Sequence, residues 1–357
     1  MSRQLIAACA AAALLAAGCG GSPSSPSQAG GGSGGGAKTN EAYQELMKLP
    51  QDELVKRAKD EGEVTLYTSM ETSVSDDVEG AFEDAYDIDV NLYRASSETV
   101  LQRVLQESQA GFPGSDLVET NSTEMSALQQ EGVFTPYTRA PRDGVIEQGK
   151  FDTWTSTRLN VFAPSWNTKL VKPGDEPKSW DDLADPKWKG KLSMEAEDYD
   201  WYMALHDWYL SEGKSEKETQ ALFNQMADNA KIVKGHSAQA EMLPAGRFSV
   251  VASNYTYITQ GTMDDGADVD YKPLIEPVVV RPNGAGLMKT AKHPAAATLF
   301  IEWLLTDGQE VLMDLHMDPS VQSQHGTLEG VDKVWVDVAK LLEENEKWST
   351  RYDQLLR

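Results

Sequence analysis

From Glu63 to Gly132 the chain alternates short apolar strands with amphipathic helices. Glu63-Val64-Thr65-Leu66-Tyr67 reads as a strand, and residues 75–86 as a helix with Val78, Phe82 and Ala85 on one face. Ile88 to Tyr93 is a second strand, and 97–110 a second helix carrying Val100, Leu101, Val104 and Leu105. Asp116 to Glu119 is a short third strand, followed by a helix over 123–130 that Gly132 stops. Strands joined through helices make right-handed crossovers, so this pattern predicts an α/β fold with a parallel sheet covered by helices. Ligands of such sheets gather beyond the carboxyl ends of the strands. That rule points to the turns at 68–72, 94–97 and 120–122 and makes Ser69, Glu71, Ser96, Ser97 and Asn121 candidate ligand contacts. Ser and Asn in these turns also serve as helix caps. The two roles are compatible, because a helix start at a strand end presents backbone N–H groups to an anion.

The first residues have a different character. Arg3 precedes an apolar run, Leu5 to Ala17, which is shorter than the about 20 residues a membrane-spanning helix needs and fits a secretory leader over 1–18. The run ends Leu15-Ala16-Ala17-Gly18-Cys19, which resembles a bacterial lipobox. The resemblance implies a lipid on Cys19 and a chain held at the outer face of the cell membrane. Residues 19–40 are rich in Gly, Ser and Pro, cannot bury a core, and read as a tether. Cys9 lies inside the leader and Cys19 is taken by the lipid, so the mature chain is expected to hold no disulfide.

Acidic residues outnumber basic ones by 56 to 32, a net charge of −24, which argues against nucleic acid and against anionic membrane surfaces as partners. The histidines are scattered at 206, 236, 293, 316 and 325, with no HExxH, no Cys/His cluster, no GxSxG and no Walker loop. The sequence therefore reads as a binding protein with no enzyme cofactor rather than an enzyme. A secreted hydrolase is the remote alternative.

Two extended segments, 155–166 and 269–282, flank a stretch with strands and helices of its own. Pro273, Pro277 and Pro282 limit the ladder of the second, and strand, turn and helix resume at Gly284. This organisation predicts a first lobe over 41–162 and 273–330, an inserted second lobe over 163–272, a two-strand hinge between them, and a C-terminal helical region over 331–357. In that last region Val334, Val338, Leu341 and Leu342 form one stripe, expected to dock on a lobe.

Ser179-Trp180-Asp181-Asp182-Leu183-Ala184-Asp185-Pro186-Lys187-Trp188-Lys189-Gly190-Lys191-Leu192 is similar to a signature of type 2 periplasmic binding proteins, and matches best the branch of the ferric-ion-binding proteins. Trp166-Asn167 stands where that family usually carries Tyr-Asn, and His293-Pro294-Ala295-Ala296-Ala297 with Phe300 to Leu305 resembles a helix of the same family. The resemblance covers roughly residues 61 to 328. It implies a two-lobed receptor that closes on one solute and delivers it, as a monomer, to the permease and ATPase subunits of an ABC importer. Closure needs only a ligand that touches both lobes.

In the iron-binding members adjacent tyrosines of the second lobe hold Fe3+. Here the corresponding stretch is Ser253-Asn254-Tyr255-Thr256-Tyr257, with the pair split by Thr256. As a strand it would place Tyr255 and Tyr257 on one face. Glu71 is the candidate carboxylate from the first lobe, so the tentative metal set is Tyr255, Tyr257 and Glu71. Asn121 is neutral where another acidic ligand can occur. Ferric iron as transported solute, with or without an accompanying anion, is favoured. The alternative is an organophosphate, phosphonate or other small anion or amine, contacted by Ser69, Ser96 and Ser97, with Tyr199 and Trp201 as a wall or as helix core.

Overall fold

The computed structural model describes residues 41–324 and 326–357. The leader, Cys19 and the whole tether lie outside the described residues, as does His325. The strands are β1 (Glu63–Thr68), β2 (Asp89–Arg94), β3 (Leu117–Asn121), β4 (Phe134–Thr135), β5 (Thr155–Asn167), β6 (Leu192–Glu195), β7 (Ala230–Val233), β8 (Val250–Tyr255), β9 (Val269–Asp270), β10 (Val278–Met288), β11 (Asp318–Pro319) and β12 (Lys333–Trp335). The main path through the sheet runs β2-β1-β3-β10-β5-β8-β6-β7. β1 pairs in parallel with β2 and β3, and β6 in parallel with β7 and β8, as right-handed crossovers require.

β5 and β10 hold the molecule together. They run antiparallel to each other, are buried along their whole lengths, and change partners midway. Asn283 to Leu287 of β10 pair with β3, whereas Phe162 to Trp166 of β5 pair with β8. One end of this ribbon therefore belongs to the sheet of the first lobe and the other end to that of the second. The fold is α/β and two-lobed, with a two-strand connection. β5 covers the first of the two segments read as extended, 155–166. The second differs: 269–282 is not one extended segment but the two-residue β9, a stretch with Pro273 and Pro277, and then the unbroken β10. Pro282 does not end that strand. It sits opposite Leu159, one residue before the ladder to β3 opens at Asn283, so its missing N–H deletes no bond to β3.

The signature stretch has a packing role. Trp180 Nε1 donates to the Pro277 carbonyl at 2.8 Å, and Asn229 Nδ2 donates to the carbonyls of Leu183 and Asp185. Trp201 is fully buried among Trp180 and Phe223, so it is core and not a ligand wall.

The C-terminal region departs from expectation in two ways. Val334 lies in β12, which pairs in parallel with β10, so it belongs to no helical stripe. The helices that follow, Val338–Glu343 and Asn345–Leu355, pack on different lobes. The first lies on the helix Ser122–Gln130 and the second on the helices Tyr199–Ser211 and Glu216–Asn229. The chain end thus spans the lobes instead of docking on one.

Candidate functional site

A cavity of about 560 Å³ lies between the lobes, and all eight ligand-contact candidates line it. Ser69, Glu71, Ser96, Ser97 and Asn121 come from the strand ends of the first lobe, and Tyr199, Tyr255 and Tyr257 from the second. The strand-end rule explains the first group, because β1, β2 and β3 finish at the same edge of a parallel sheet.

Most of these side chains also have local duties. Glu71 is the N-cap of the helix Thr72–Tyr86 and accepts from Ser73 N at 2.8 Å and Ser73 Oγ at 2.6 Å. Burial alone would raise its pKa, but the Ser73 hydroxyl and backbone N–H groups hold it below the ordinary glutamate value. Ser96 caps the helix Ser97–Gln109 through Thr99 N. Ser69 Oγ accepts from Thr120 Oγ1 at 2.8 Å. Asn121 begins the helix Ser122–Gln130, but its side chain makes no cap; its Oδ1 accepts from Asn283 Nδ2 at 2.8 Å and Arg281 Nη2 at 3.1 Å.

The tyrosine pair converges on the cavity by a different geometry from the one expected. The stretch 253–257 is not one strand: β8 ends at Tyr255, and Tyr257 lies in the first turn of the helix Thr256–Asp264. Side-chain alternation therefore does not align the two residues. The strand-to-helix turn does, stacking the rings 5.9 Å apart and 11° from parallel. Burial pushes the Tyr257 hydroxyl up to about 12, and burial also raises Tyr255, against the pull of the Arg281 charge. Both are neutral phenols near pH 7 and become oxygen anions only when a cation displaces their protons. Tyr199 Oη accepts from Asn345 Nδ2 at 3.3 Å, in the C-terminal helix.

Several lining residues were not singled out as contacts from sequence: Arg158, Arg281, Glu124, His236, Asn345, Glu195 and Asp198. Arg281 Nη1 donates to Asp200 Oδ2 at 2.7 Å and Nη2 to Tyr255 Oη at 2.6 Å. His236 follows Gly235 at the end of β7, and its ring lies 3.9 Å from that of Tyr255. Applying the strand-end rule to the second lobe would have found His236. Burial, joined by the neighbouring Asp198 charge, lifts Glu195 to about 7. Burial alone disfavours a charged His236, yet Asp198 and Glu195 more than offset it and raise its pKa above the ordinary histidine value.

Glu124 gives a pH signature. Its Oε2 is buried without a partner, and burial raises its pKa to about 7 from 4.5 despite the nearby Arg281 charge. A carboxyl whose folded pKa is raised favours folding below its unfolded pKa, and that contribution is lost as pH rises through the folded value. Wild type should therefore lose stability between pH 5 and pH 8 that Glu124→Gln keeps. Urea midpoints of both proteins at the two pH values check this. Parallel losses would show that Glu124 ionises freely.

A cleft lined from both lobes, with hydroxyl, carboxylate, phenol and guanidinium groups facing inward, defines a two-lobed solute trap. The chain belongs to the bacterial extracellular solute-binding protein family, whose model matches residues 67–311. It is 25% identical over 277 residues to iron uptake protein A1 of Synechocystis sp., covering 70% of this chain and 73% of that protein. It is 27% identical over 264 residues to the Fe(3+)-binding periplasmic protein of Serratia marcescens, covering 71% and 76%. Among solved structures it is similar to the periplasmic binding protein AfuA of Actinobacillus pleuropneumoniae with exogenous fructose-6-phosphate bound. That match has a TM-score of 0.71 and 17% identity, and covers 83% of this chain and 98% of that one.

Proposed function

We propose that this protein captures ferric iron between its lobes and hands it to the permease and ATPase of an ABC importer, as a monomeric receptor anchored through Cys19 to the outer face of the membrane. The observation that carries the iron assignment is the stacked Tyr255–Tyr257 pair in the inter-lobe cavity, with the Glu71 carboxylate among the lining groups. Fe3+ is a hard cation that prefers oxygen donors, and the cavity offers phenols and carboxylates and, among the described residues, no thiol. The iron-named relatives support the same reading. Closure would draw Glu71 and Asn121 of the first lobe toward the tyrosines of the second, with lobes divided near 162 and 272.

The test is a visible tyrosinate-to-iron charge-transfer band on adding ferric citrate to metal-free protein. Tyr257→Phe should remove about half of the band and weaken affinity by roughly tenfold, the loss of one strong oxygen ligand. Tyr199→Phe should change little. A second reading is favoured by the hydroxyls at Ser69, Ser96 and Ser97 beside Arg94: a phosphate-bearing solute. A colourless protein that is thermally stabilised by a sugar phosphate, with Ser97→Ala more harmful than Tyr257→Phe, would replace the ferric assignment with that one.

A further inference from the structure

On the second-lobe wall of the cavity, Glu195, Asp198 and His236 each direct one potential ligand atom to a common point, all within 4.8 Å of one another. They converge because β6 and β7 are parallel neighbours in register, Glu195 opposite Val233, so the turns that follow them emerge side by side. Glu195 closes β6, Asp198 follows three residues on, and His236 follows β7 through Gly235, whose φ of +95° suits glycine. Clusters of exposed carboxylates are common and mean little. These two carboxylates are each 3% exposed, so water does not stabilise their charges.

The supporting contacts are those of an oriented ligand set. Gly235 N donates to Glu195 Oε1 at 2.7 Å, Glu197 N donates to Glu195 Oε2, and the Ser253 hydroxyl donates to Asp198 Oδ2. His236 Nε2 lies 3.0 Å from Asp198 Oδ1, while its Nδ1 is buried without a partner. Such bonds fix carboxylates in place much as outer-shell partners fix metal ligands. A cation that displaces the imidazole proton would be held by one ring nitrogen and two buried carboxylates.

We propose that Glu195, Asp198 and His236 bind a divalent first-row transition metal, in the same cavity as the tyrosine pair and beside Tyr255 but through different side chains. One imidazole with two carboxylates suits Zn2+ or Mn2+, whose bonds of about 2.0–2.2 Å place ligand atoms within the observed span. Ca2+ needs six to eight oxygens and is disfavoured by the imidazole.

The test uses the whole chain freed of metal and dialysed against Mn2+ or Zn2+, with bound metal counted by elemental analysis. One ion per chain is expected, and the Mn2+ form should show nitrogen coupling from a single imidazole by pulsed electron paramagnetic resonance. That second readout needs no variant. Asp198→Asn and His236→Gln should each weaken binding at least tenfold, and His236→Gln should abolish the nitrogen coupling, whereas Tyr257→Phe should leave divalent binding intact. Failure to retain either ion, or retention unchanged in both triad variants, would overturn the proposal and leave the cluster as an ion pair that ties the Gly235 turn to β6. The ferric assignment fails separately: a charge-transfer band without divalent binding removes only this site, and divalent binding without the band removes only the ferric one.

Discussion

Glu119→Gln should lower the melting temperature by roughly 6–20 °C, because it removes one member of a fully buried ion pair at a cost of about 3–5 kcal/mol. Glu119 and Arg158 are 1% and 2% exposed. Arg158 Nε donates to Glu119 Oε1 at 3.0 Å and Nη2 to Oε2 at 3.4 Å. Thr68 Oγ1 also donates to Glu119 Oε2, and Arg158 Nη1 donates to Asn160 Oδ1. Glutamine keeps the shape of glutamate and can still accept from Thr68, but its amide NH2 then faces the Arg158 Nε–H, so the substitution removes the charge and one acceptor together. What remains is a guanidinium shut away from water beside a neutral amide. The pair also joins β3 to β5, where the first lobe meets the ribbon between the lobes, so its loss loosens the floor of the cavity that Arg158 lines. Replacing both partners with apolar residues of similar volume should cost far less than either single change. Calorimetry of the two single variants and the double variant measures this. A drop below about 2 °C for Glu119→Gln would mean that water reaches the pair.

The sheet of the first lobe was legible because strand and helix periodicity are local properties. Val78 and Phe82, or Val100 and Val104, reveal a buried face whatever lies against it, and the observed burial agrees. The turns that follow those strands inherit their position from the sheet, and for that reason Ser69, Ser96 and Asn121 could be placed at the cavity edge from sequence. The tyrosine pair reached the same cavity through a turn that alternation does not describe, since Thr256 opens a helix where an extended residue was expected.

Other features depend on partners far away in the chain. In Val278-Val279-Val280-Arg281-Pro282 the arginine looks like an interruption of an apolar strand, and only the fold reveals Asp200, 81 residues earlier, beside it. The C-terminal stripe shows the same limit. Leu341, Trp348 and Tyr352 announce buried faces, but not that the helices carrying them rest on opposite lobes. Trp201 was ambiguous for the converse reason: an aromatic residue after a strand end suits a ligand wall and a core equally, and only the packing of Trp180 and Phe223 against it decides for the core.

Arg281→Met should cost about 3–5 kcal/mol and, unlike Glu119→Gln, should also separate the lobes. The guanidinium is buried on β10, where the ribbon passes beneath the cavity. It donates to Asp200 Oδ2 at 2.7 Å and Tyr255 Oη at 2.6 Å in the second lobe, and to Asn121 Oδ1 at 3.1 Å in the first. Methionine fills much of the same volume but leaves Asp200 as a buried charge with no guanidinium beside it and removes a donor that touches both lobes. Lysine keeps the charge but offers a single ammonium in place of a planar fork, so it can satisfy Asp200 and not all three acceptors together, and Arg281→Lys should fall between wild type and methionine. Adding Asp200→Asn to Arg281→Met should recover part of the lost stability by removing the stranded charge, yet it should not restore solute affinity, because the link between Asn121 and Tyr255 is still missing. Urea unfolding follows the first effect and ferric titration the second. Recovery of both in the double variant would mean that Arg281 acts only as a counter-charge and has no part in coupling the lobes.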